Sequence, residues 1–394
     1  SAEMKASFVA EIAADYEKAR EQHAGKKGVQ LVTLDAARTN RFKSIAAAPK
    51  PKQPGVQALA DYDLALLAPC IDWAPFFQTW DLAGSYPAIL DDPKVGETAR
   101  QVFADGQAML ERIVEEKWLS ANGVFGLFPA NAVGDDVEIY TDESRQTVRL
   151  TWHNLRQQQL RPEGKPNYCL SDFIAPKDSG VADYVGAFAV TAGLGIERKL
   201  AEFAAQHDDY NAILLKALAD RLAEAFAEHL HQRVRREFWG YAADEALSSE
   251  ELIAEKYRGI RPAAGYPACP DHTEKGPLFA LLDAEKHTGM ALTESFAMHP
   301  AASVSGFYLA HPKARYFAVT KIGRDQLEDY AKRKGMTLAE AERCIRKAHA
   351  AGIRVNGTVS TIWGCPMEGP TRLEDAVAFT KRFLDIGADD IEHA

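Results

Sequence analysis

One stretch of this sequence combines residue types that could bind a charged small molecule. It runs Arg261-Pro-Ala-Ala-Gly-Tyr-Pro-Ala-Cys-Pro-Asp-His-Thr-Glu-Lys275. The Arg261 guanidinium is a planar, permanently charged fork that suits a carboxylate or a phosphate. The prolines and Gly265 exclude both a helix and a central strand, so the backbone must form a rigid irregular loop. Such a loop exposes N–H and C=O groups that can contact the edge of a purine.

This loop has two other interpretations. Cys269 and His272 could suggest zinc, but no second Cys or His pair stands nearby at a ligand spacing, so no metal site is expected. The loop could also be a simple connection, and the residues alone leave that alternative open. Asp271 or Thr273 is expected to cap the helix that follows.

A second candidate feature is a row of acidic residues in the longest helical pattern, residues 198–238. Asp220, Glu224 and Glu228 recur every four positions, which places three carboxylates on one helix face. They could form a solvated face, or one of them could line a site for a cationic ligand. The cluster Arg233, Arg235 and Arg236 likewise fits either a solvated face or a docking patch for an acidic partner.

The elements that must position these residues come in separate groups. Apolar periodicity predicts helices at 95–117, 198–238, from the loop to about His287, at 326–334, and from Thr337, where Thr337 to Glu340 forms a capping box. Strands are expected at 123–128, 138–152 (a hairpin), 168–174, 184–191, 303–309 and 316–319. Hairpins and separate helical runs indicate an α+β fold with an antiparallel sheet rather than a doubly wound parallel sheet.

The composition narrows the class of protein. The chain is 46% hydrophobic and 26% charged, as in ordinary globular proteins. A net charge of −10 without a dominant basic stripe argues against nucleic-acid binding. No apolar run approaches the ~20 residues of a spanning helix, so no membrane association is expected. Five widely spaced cysteines without a C-x-x-C pair, and no opening signal peptide, favour reduced thiols in the cytoplasm.

The motif at 261–275 resembles the S-adenosylmethionine motif in the activation domain of cobalamin-dependent methionine synthases, R-P-A-x-G-Y-P-A-C-P-[DE]-H-T-E-K. The resemblance runs from about residue 5 to residue 343. Segments that share it begin at Ile71 (Ile-Asp-Trp-x-Pro-Phe-Phe), Gly126 (Gly-Leu-Phe-Pro-Ala-Asn), Gly134 (Gly-Asp-Asp-x-Glu-Ile-Tyr), Leu155 (Leu-Arg-Gln-Gln), Asn167 (Asn-Tyr-Cys-Leu), Asp183 (Asp-Tyr-x-Gly-Ala-Phe-Ala-Val-Thr), Gln206 (Gln-His-Asp-Asp-Tyr) and Thr293 (Thr-Glu-Ser-Phe-Ala-Met).

This resemblance implies a set of ligand-binding residues. Asp72 is expected to pair with the ammonium of S-adenosylmethionine, and Arg261 with its carboxylate. Tyr316 and Phe317 would contact adenine or face the sulfonium. The family often has Tyr-Tyr at that pair, so one hydroxyl is lost at Phe317. The backbone at Ala263 and Gly265, with Tyr266 and His272, would complete the pocket, and Glu224 and Glu255 are further candidates.

The resemblance also implies a role and partners. The family's activation domain presents S-adenosylmethionine to cobalamin that has been oxidised to its inactive state, and a flavodoxin-type reductant supplies the electron. Cobalamin does the hard chemistry, and the domain supplies proximity and a desolvated site, so no catalytic residue is assigned. The 394 residues leave no room for homocysteine, folate or cobalamin domains, and cobalamin is therefore expected on a partner domain.

The pattern of that family stops near Arg343, and residues 345–394 resemble a fragment of hydroxymethylglutaryl-CoA lyase-like aldolase barrels. Their Gly-Cys-Pro-x-Glu-Gly ends at Gly369, with a helix expected at 372–384 and a strand from Asp390. So short a βα fragment cannot close a barrel, which needs around 250 residues. It is expected to be either a mis-joined reading frame or a helix and strand that dock on the domain. Acyl-CoA lyase activity through Cys365, with His393 as a weak metal-ligand candidate, is the alternative function.

These boundaries suggest three parts. Residues 1–60 are expected to be an N-terminal helix (4–23) and a linker, with a flexible, Pro-rich connector at 46–55. Residues 61–343 would be the S-adenosylmethionine-binding domain, and residues 344–394 the appended fragment.

Overall fold

A computed structural model describes residues 30–350, 356–359 and 390–393. The strands are β1 (Gly55–Leu59), β2 (Ser120–Val133), β3 (Asp136–Tyr140), β4 (Val148–Trp152), β5 (Asp183–Leu194), β6 (Ala291–Leu292), β7 (Met298–His299), β8 (Ser303–Tyr308), β9 (Asn356–Val359) and β10 (Asp390–His393). Six of them form an antiparallel sheet in the order β4-β3-β2-β5-β8, with β1 beside the first half of β2. The expected α+β fold with an antiparallel sheet is confirmed.

The helices are α1 (Leu34–Thr39), α2 (Leu64–Leu67), α3 (Ala74–Gln78), α4 (Gly96–Glu115), α5 (Ile196–Ala205), α6 (Asp209–Arg233), α7 (Ser249–Ile253), α8 (Lys275–Leu282), α9 (Ala284–Thr288), α10 (Arg324–Lys334) and α11 (Leu338–Ala350). The region 198–238 therefore holds two helices followed by one π-helical turn, Val234–Phe238. The predicted helix ends at about His287 and at residue 334 are confirmed, since Gly289 and Gly335 adopt the left-handed conformation that closes a helix.

The two long central strands bury both of their faces. Along β2, Phe125 and Leu127 face one hydrophobic cluster while Val124 and Phe128 face another, as the period of two in a strand requires. Helices α4 and α6 belong to the first cluster, and α8 with the loops around it belongs to the second. The sheet therefore separates two cores, and each side carries its own helices.

Helix α6 is the main support of the first core. Its residues Leu214, Leu218, Leu222 and Phe226 recur every four positions and are fully buried. The Asp208 side chain accepts a hydrogen bond from the Asn211 backbone N–H and caps the start of the helix. This packing fixes the helix face that carries the acidic row.

Two predicted strands are wrong. Residues 168–174 form a short 3-10 turn at Leu170–Phe173, and residues 316–319 run as irregular chain. Both segments are rich in aromatic residues, which favour strands but also fill gaps between elements. Here Tyr168, Phe173 and Phe317 pack on one another. Tertiary packing of these rings outweighs local strand propensity.

Residues 30–59 contact the sheet domain, although the sequence assigned them to a lead-in. Strand β1 pairs with β2 from Gly55 to Leu59. Within the predicted connector, the Ala48 backbone N–H bonds to the Asp183 carboxylate at 2.9 Å. The division at residue 60 stays a proposal, and these contacts favour moving it toward the amino terminus. The helix expected at 4–23 lies outside the described residues.

The C-terminal segment contains two strands, and one of them lies at the position expected from Asp390. Strands β9 and β10 pair in parallel, as in a βαβ unit. The helix expected between them, at 372–384, lies outside the described residues, as does Cys365. In the part of the chain that the structure describes, no helix is both long enough and apolar enough to cross a bilayer.

Candidate ligand-binding site

The first two residues of the motif loop lie along the outer edge of β8. Ile260 and Leu309 exchange two backbone hydrogen bonds of 3.0 Å, and the Phe307 N–H donates to the Pro262 carbonyl at 2.9 Å. An exposed sheet edge needs such cover, because its N–H and C=O groups otherwise lack partners. Arg261 is thus held between Ile260 and Pro262, which are both hydrogen-bonded to the edge of the sheet.

The Arg261 guanidinium faces the acidic side of α6. Its Nη1 donates to the Glu228 carboxylate and, at 3.1 Å, to the Tyr257 hydroxyl. Although burial opposes it, the Glu228 carboxylate raises the pKa of Arg261, which therefore stays cationic. The side chain remains 21% exposed, so a ligand carboxylate can still reach it.

The loop turns sharply at Gly265. This residue has φ +94°, and a side chain there would overlap the His272 imidazole. The turn closes through hydrogen bonds from the Gly265 N–H to the Cys269 carbonyl (2.8 Å) and from the Cys269 N–H to the Tyr266 carbonyl (2.9 Å). The Tyr266 ring is left 61% exposed. The predicted rigid, non-helical loop is confirmed.

A buried ionic cluster anchors the second half of the motif. Asp271 caps the following turn through the Thr273 N–H at 2.8 Å, as expected for one of the two candidate caps. Its other oxygen accepts from the Tyr330 hydroxyl at 2.7 Å and from Lys334 Nζ at 2.5 Å. Lys334 also lies 2.6 Å from Glu274. Helix α10, which is not part of the motif, therefore holds the second half of the motif in place.

Tyr316 and Phe317, the expected aromatic pair, lie in two different environments. The Tyr316 hydroxyl accepts a hydrogen bond from the Arg261 backbone N–H at 3.0 Å, and the side chain is 38% exposed. Phe317 points elsewhere and stacks on Tyr168, with ring centroids 5.7 Å apart. Consecutive residues of an extended chain point to opposite sides, which separates the two rings. Tyr316 alone lies beside Arg261.

Asp72 lies in the turn before α3. Its carboxylate accepts from the Ala74 N–H at 3.0 Å, and it is half-buried. Two residues earlier, the Cys70 thiol lies 3.8 Å from Nδ1 of His229, the residue after Glu228. Asp72 therefore stands on the α6 side of the molecule, and among the described residues no hydrogen bond joins it to Arg261.

The acidic row on α6 is not a uniformly solvated face. Asp220 is exposed, whereas Glu224 and Glu228 are half-buried toward the loop. Burial raises the pKa of Glu224, which the nearby Arg221 and Arg261 oppose. Ala263, two residues after Arg261, is also half-buried. The solvated-face interpretation is wrong for two of the three carboxylates.

Several residues of this neighbourhood were missed by sequence reasoning. No sequence pattern indicates that Tyr257, Tyr330 and Lys334 contact the motif, because separation along the chain does not reveal contacts in space. Arg235 is fully buried and pairs with Glu245, so the docking-patch and solvated-face interpretations both fail for that residue. Its position in the π-helical turn, which redirects side chains, gave no pattern in the sequence.

Two cavities lie away from the motif loop. One, of about 830 Å³, is bounded by the 38–45 segment and the β2–β3 turn. The other, of about 460 Å³, lies beside His229 and Arg233. Within the described residues, no group of three or more His, Cys, Asp or Glu is arranged to hold a metal ion. The chemistry of the motif loop, rather than cavity size, identifies the site.

Fold and site together define a class of protein. A cation fixed on a sheet edge, flanked by half-buried carboxylates and exposed aromatic rings, can bind a small ligand that carries both charges. This is the arrangement of a ligand-binding α+β domain.

The family follows from two matches. The model of the vitamin B12 dependent methionine synthase activation domain matches residues 63–335. The crystal structure of the MetH reactivation domain bound to AdoHcy is similar to this chain, with a TM-score of 0.78 at 57% identity, over 81% of this chain and 98% of that chain. The chain belongs to the family of vitamin B12-dependent methionine synthase activation domains. These matches do not favour the acyl-CoA lyase alternative.

Proposed function

We propose that this activation domain binds S-adenosylmethionine on the Arg261 loop for the reductive remethylation of cobalamin. The observation that carries the proposal is Arg261, a cation anchored on the β8 edge with 21% of its side chain exposed. The similar MetH reactivation domain was crystallised with AdoHcy, S-adenosylhomocysteine, which differs from S-adenosylmethionine by one methyl group and one charge.

The residues present fit such a ligand. The Arg261 guanidinium suits the ligand carboxylate, and the half-buried carboxylate of Glu224 suits a neighbouring positive charge. The exposed ring of Tyr266 offers a face for adenine or the sulfonium. The loop and α6 together therefore supply one partner for each part of the ligand.

We assign the binding roles as follows. Arg261 holds the carboxylate and Asp72 the ammonium, while Tyr316 and Tyr266 contact adenine or the sulfonium. The backbone at Ala263 and Gly265, with His272 behind it, shapes the adenine side of the pocket. Phe317 stacks on Tyr168, away from Arg261, and we assign it no contact with the ligand.

The domain contributes position rather than bond-making groups. When bound, S-adenosylmethionine supplies an activated methyl group for cobalamin held by another domain, once a flavodoxin-type reductant has delivered an electron. The rigid loop fixes the ligand's orientation before the cobalamin domain docks, which lowers the entropic cost of the encounter. We place this exchange in the cytoplasm.

Calorimetric titration of S-adenosylhomocysteine and S-adenosylmethionine into the full chain tests the proposal. Arg261→Ala removes a charge-assisted hydrogen bond worth roughly 1.5–3 kcal/mol, so affinity should fall by about ten- to a hundredfold. Arg324→Ala is the matched control, because Arg324 is an exposed residue of α10 that forms an ion pair with Glu328, away from the motif loop. Equal affinity in Arg261→Ala and the unaltered chain would refute the assignment.

A further inference from the structure

Glu228 stands between two arginines. Its Oε2 accepts a hydrogen bond from Nη1 of Arg261, and its Oε1 lies 3.8 Å from Nη1 of Arg235. The Glu228 and Arg261 side chains are 16% and 21% exposed, whereas Arg235 is fully buried. One carboxylate thus connects the proposed ligand-binding cation to a cation in the protein interior.

The contact between Glu228 and Arg235 is too long to be a hydrogen bond, and it leaves both atoms without a partner. Glu228 Oε1 and Arg235 Nη1 are both buried and have no hydrogen-bond partner among the described residues. The other two nitrogens of Arg235 already bind Glu245, at 3.0 and 2.7 Å. A movement of about 1 Å would bring the Glu228 oxygen within hydrogen-bond distance of Arg235. Glu228 therefore has an alternative partner close at hand.

The groups near the Glu228 carboxylate leave Arg235 as its alternative charged partner. The His231 ring stacks on Tyr308 with centroids 5.0 Å apart, and neither of its nitrogens is hydrogen-bonded. Burial and the nearby Arg235 lower the pKa of His231, so this ring stays neutral and does not compete for the carboxylate. Arg235 is the cation toward which Glu228 can move.

A ligand carboxylate that approaches Arg261 meets a carboxylate already bound there. The two carboxylates repel each other, and Glu228 can withdraw to Nη1 of Arg235, the nitrogen that Glu245 leaves without a partner. If Glu228 moves to Arg235, its negative charge remains paired and no buried charge is abandoned, which avoids the large cost of an unpaired buried ion.

We propose that Glu228 is an internal competitor for the ligand carboxylate. In the ligand-free protein it occupies Arg261, and it moves to Arg235 when a ligand carboxylate binds. This inference rests on the proposed function, because it concerns the same arginine. Its consequence is selective: Glu228 weakens binding of ligands that carry the amino-acid carboxylate and has no effect on ligands that lack it.

Glu228→Gln tests the competition directly. Glutamine has the same shape and still accepts a hydrogen bond from Arg261, but without a charge. Replacing a charged acceptor by a neutral one weakens the competing bond, so S-adenosylhomocysteine should bind about fivefold more tightly. Methylthioadenosine, which has the nucleoside and thioether but no carboxylate, should bind the variant and the unaltered chain equally.

The controls separate competition from a structural effect. Glu237→Gln removes the same charge from the same helical region, where Glu237 pairs with Arg233, and should change neither affinity. Glu228→Ala removes the competitor altogether and should also tighten S-adenosylhomocysteine binding, with circular dichroism verifying that each variant is folded. Both Glu228 variants must therefore shift the two ligands unequally.

The outcomes distinguish this inference from the proposed function. Unchanged or weaker S-adenosylhomocysteine binding by Glu228→Gln, or an equal change for both ligands, overturns the competitor role. If Arg261→Ala still loses affinity in that case, the proposed function stands and only the competitor role fails. If Arg261→Ala binds S-adenosylhomocysteine as the unaltered chain does, the proposed function itself fails.

Discussion

Replacing Lys334 by methionine tests whether α10 holds the ligand loop in place. Lys334 Nζ lies 2.5 Å from Asp271 and 2.6 Å from Glu274, and the side chains of those two acids are 2% and 1% exposed. Methionine keeps the length of the side chain but removes its charge. The substitution therefore leaves two carboxylates in the interior without their shared cation.

The expected cost follows from the burial of this cluster. Breaking a buried ion pair by removing one partner costs about 3–5 kcal/mol, because the remaining charge is left unpaired. Tyr330 and Thr273 still donate to Asp271, whereas Glu274 has no hydrogen bond other than its ion pair among the described residues. Most of the loss should therefore arise at Glu274.

The loss should depend on pH. Burial raises the pKa of Glu274 in the folded protein, and Lys334 only opposes that rise. Burial also acts on Asp271, but there Lys334 and the hydrogen bonds prevail and lower the pKa. Without the cation both pKa values rise, and Glu274, whose pKa burial already raises, takes up a proton more readily in the folded protein than in the unfolded chain. The deficit should be full near pH 8 and shrink as the pH falls toward about 5.

Urea denaturation at both pH values measures the free energy of unfolding. Lys332→Met, an exposed residue on the same helix, is the matched control and should change it by less than about 0.5 kcal/mol. A Lys334→Met loss below about 1 kcal/mol, or a loss that grows on acidification, would refute the reasoning.

Two further predictions concern other parts of the domain. Gly265→Ala forces a side chain into a left-handed conformation against His272, so it should cost about 1–3 kcal/mol and weaken S-adenosylhomocysteine binding in calorimetry; unchanged affinity and stability would contradict the role of the turn. Arg156→Met breaks a buried, two-pronged pair with Asp172 and a bond to Asp135, and should lower the free energy of unfolding by about 3–5 kcal/mol in urea, with a loss under about 1 kcal/mol as the contrary result.

Much of the fold could be predicted because its signals are local. The hairpin of β3 and β4 alternates apolar and polar residues, and α4 and α6 repeat their apolar residues at helical spacing. The Thr337 and Glu340 capping box forms as expected, with Thr337 N–H and Glu340 carboxylate 2.8 Å apart. Each of these patterns depends on residues that lie close together along the chain.

The wrong strands fail for a different reason. The aromatic runs at 168–174 and 316–319 match strand propensity, but their rings Tyr168 and Phe317 stack on each other against the second core. Which partner an aromatic ring finds is decided by chain that lies about 150 residues away. Strand propensity says nothing about such a distant partner.

The sequence by itself determined the ligand loop and the family. Arg261, the prolines and Gly265 specify a rigid loop through backbone restrictions that act over a few residues, and the motif is long enough to identify its relatives. These properties depend only on neighbouring residues.

Only the tertiary structure decided what surrounds Arg261. It brings Glu228 of α6 onto the guanidinium, places Arg235 behind that carboxylate, and turns Phe317 away from Arg261 onto Tyr168. Ion pairs act through space, and burial strengthens them by excluding water. The partners of a charge are therefore set by packing between distant elements, which the order of residues along the chain does not display.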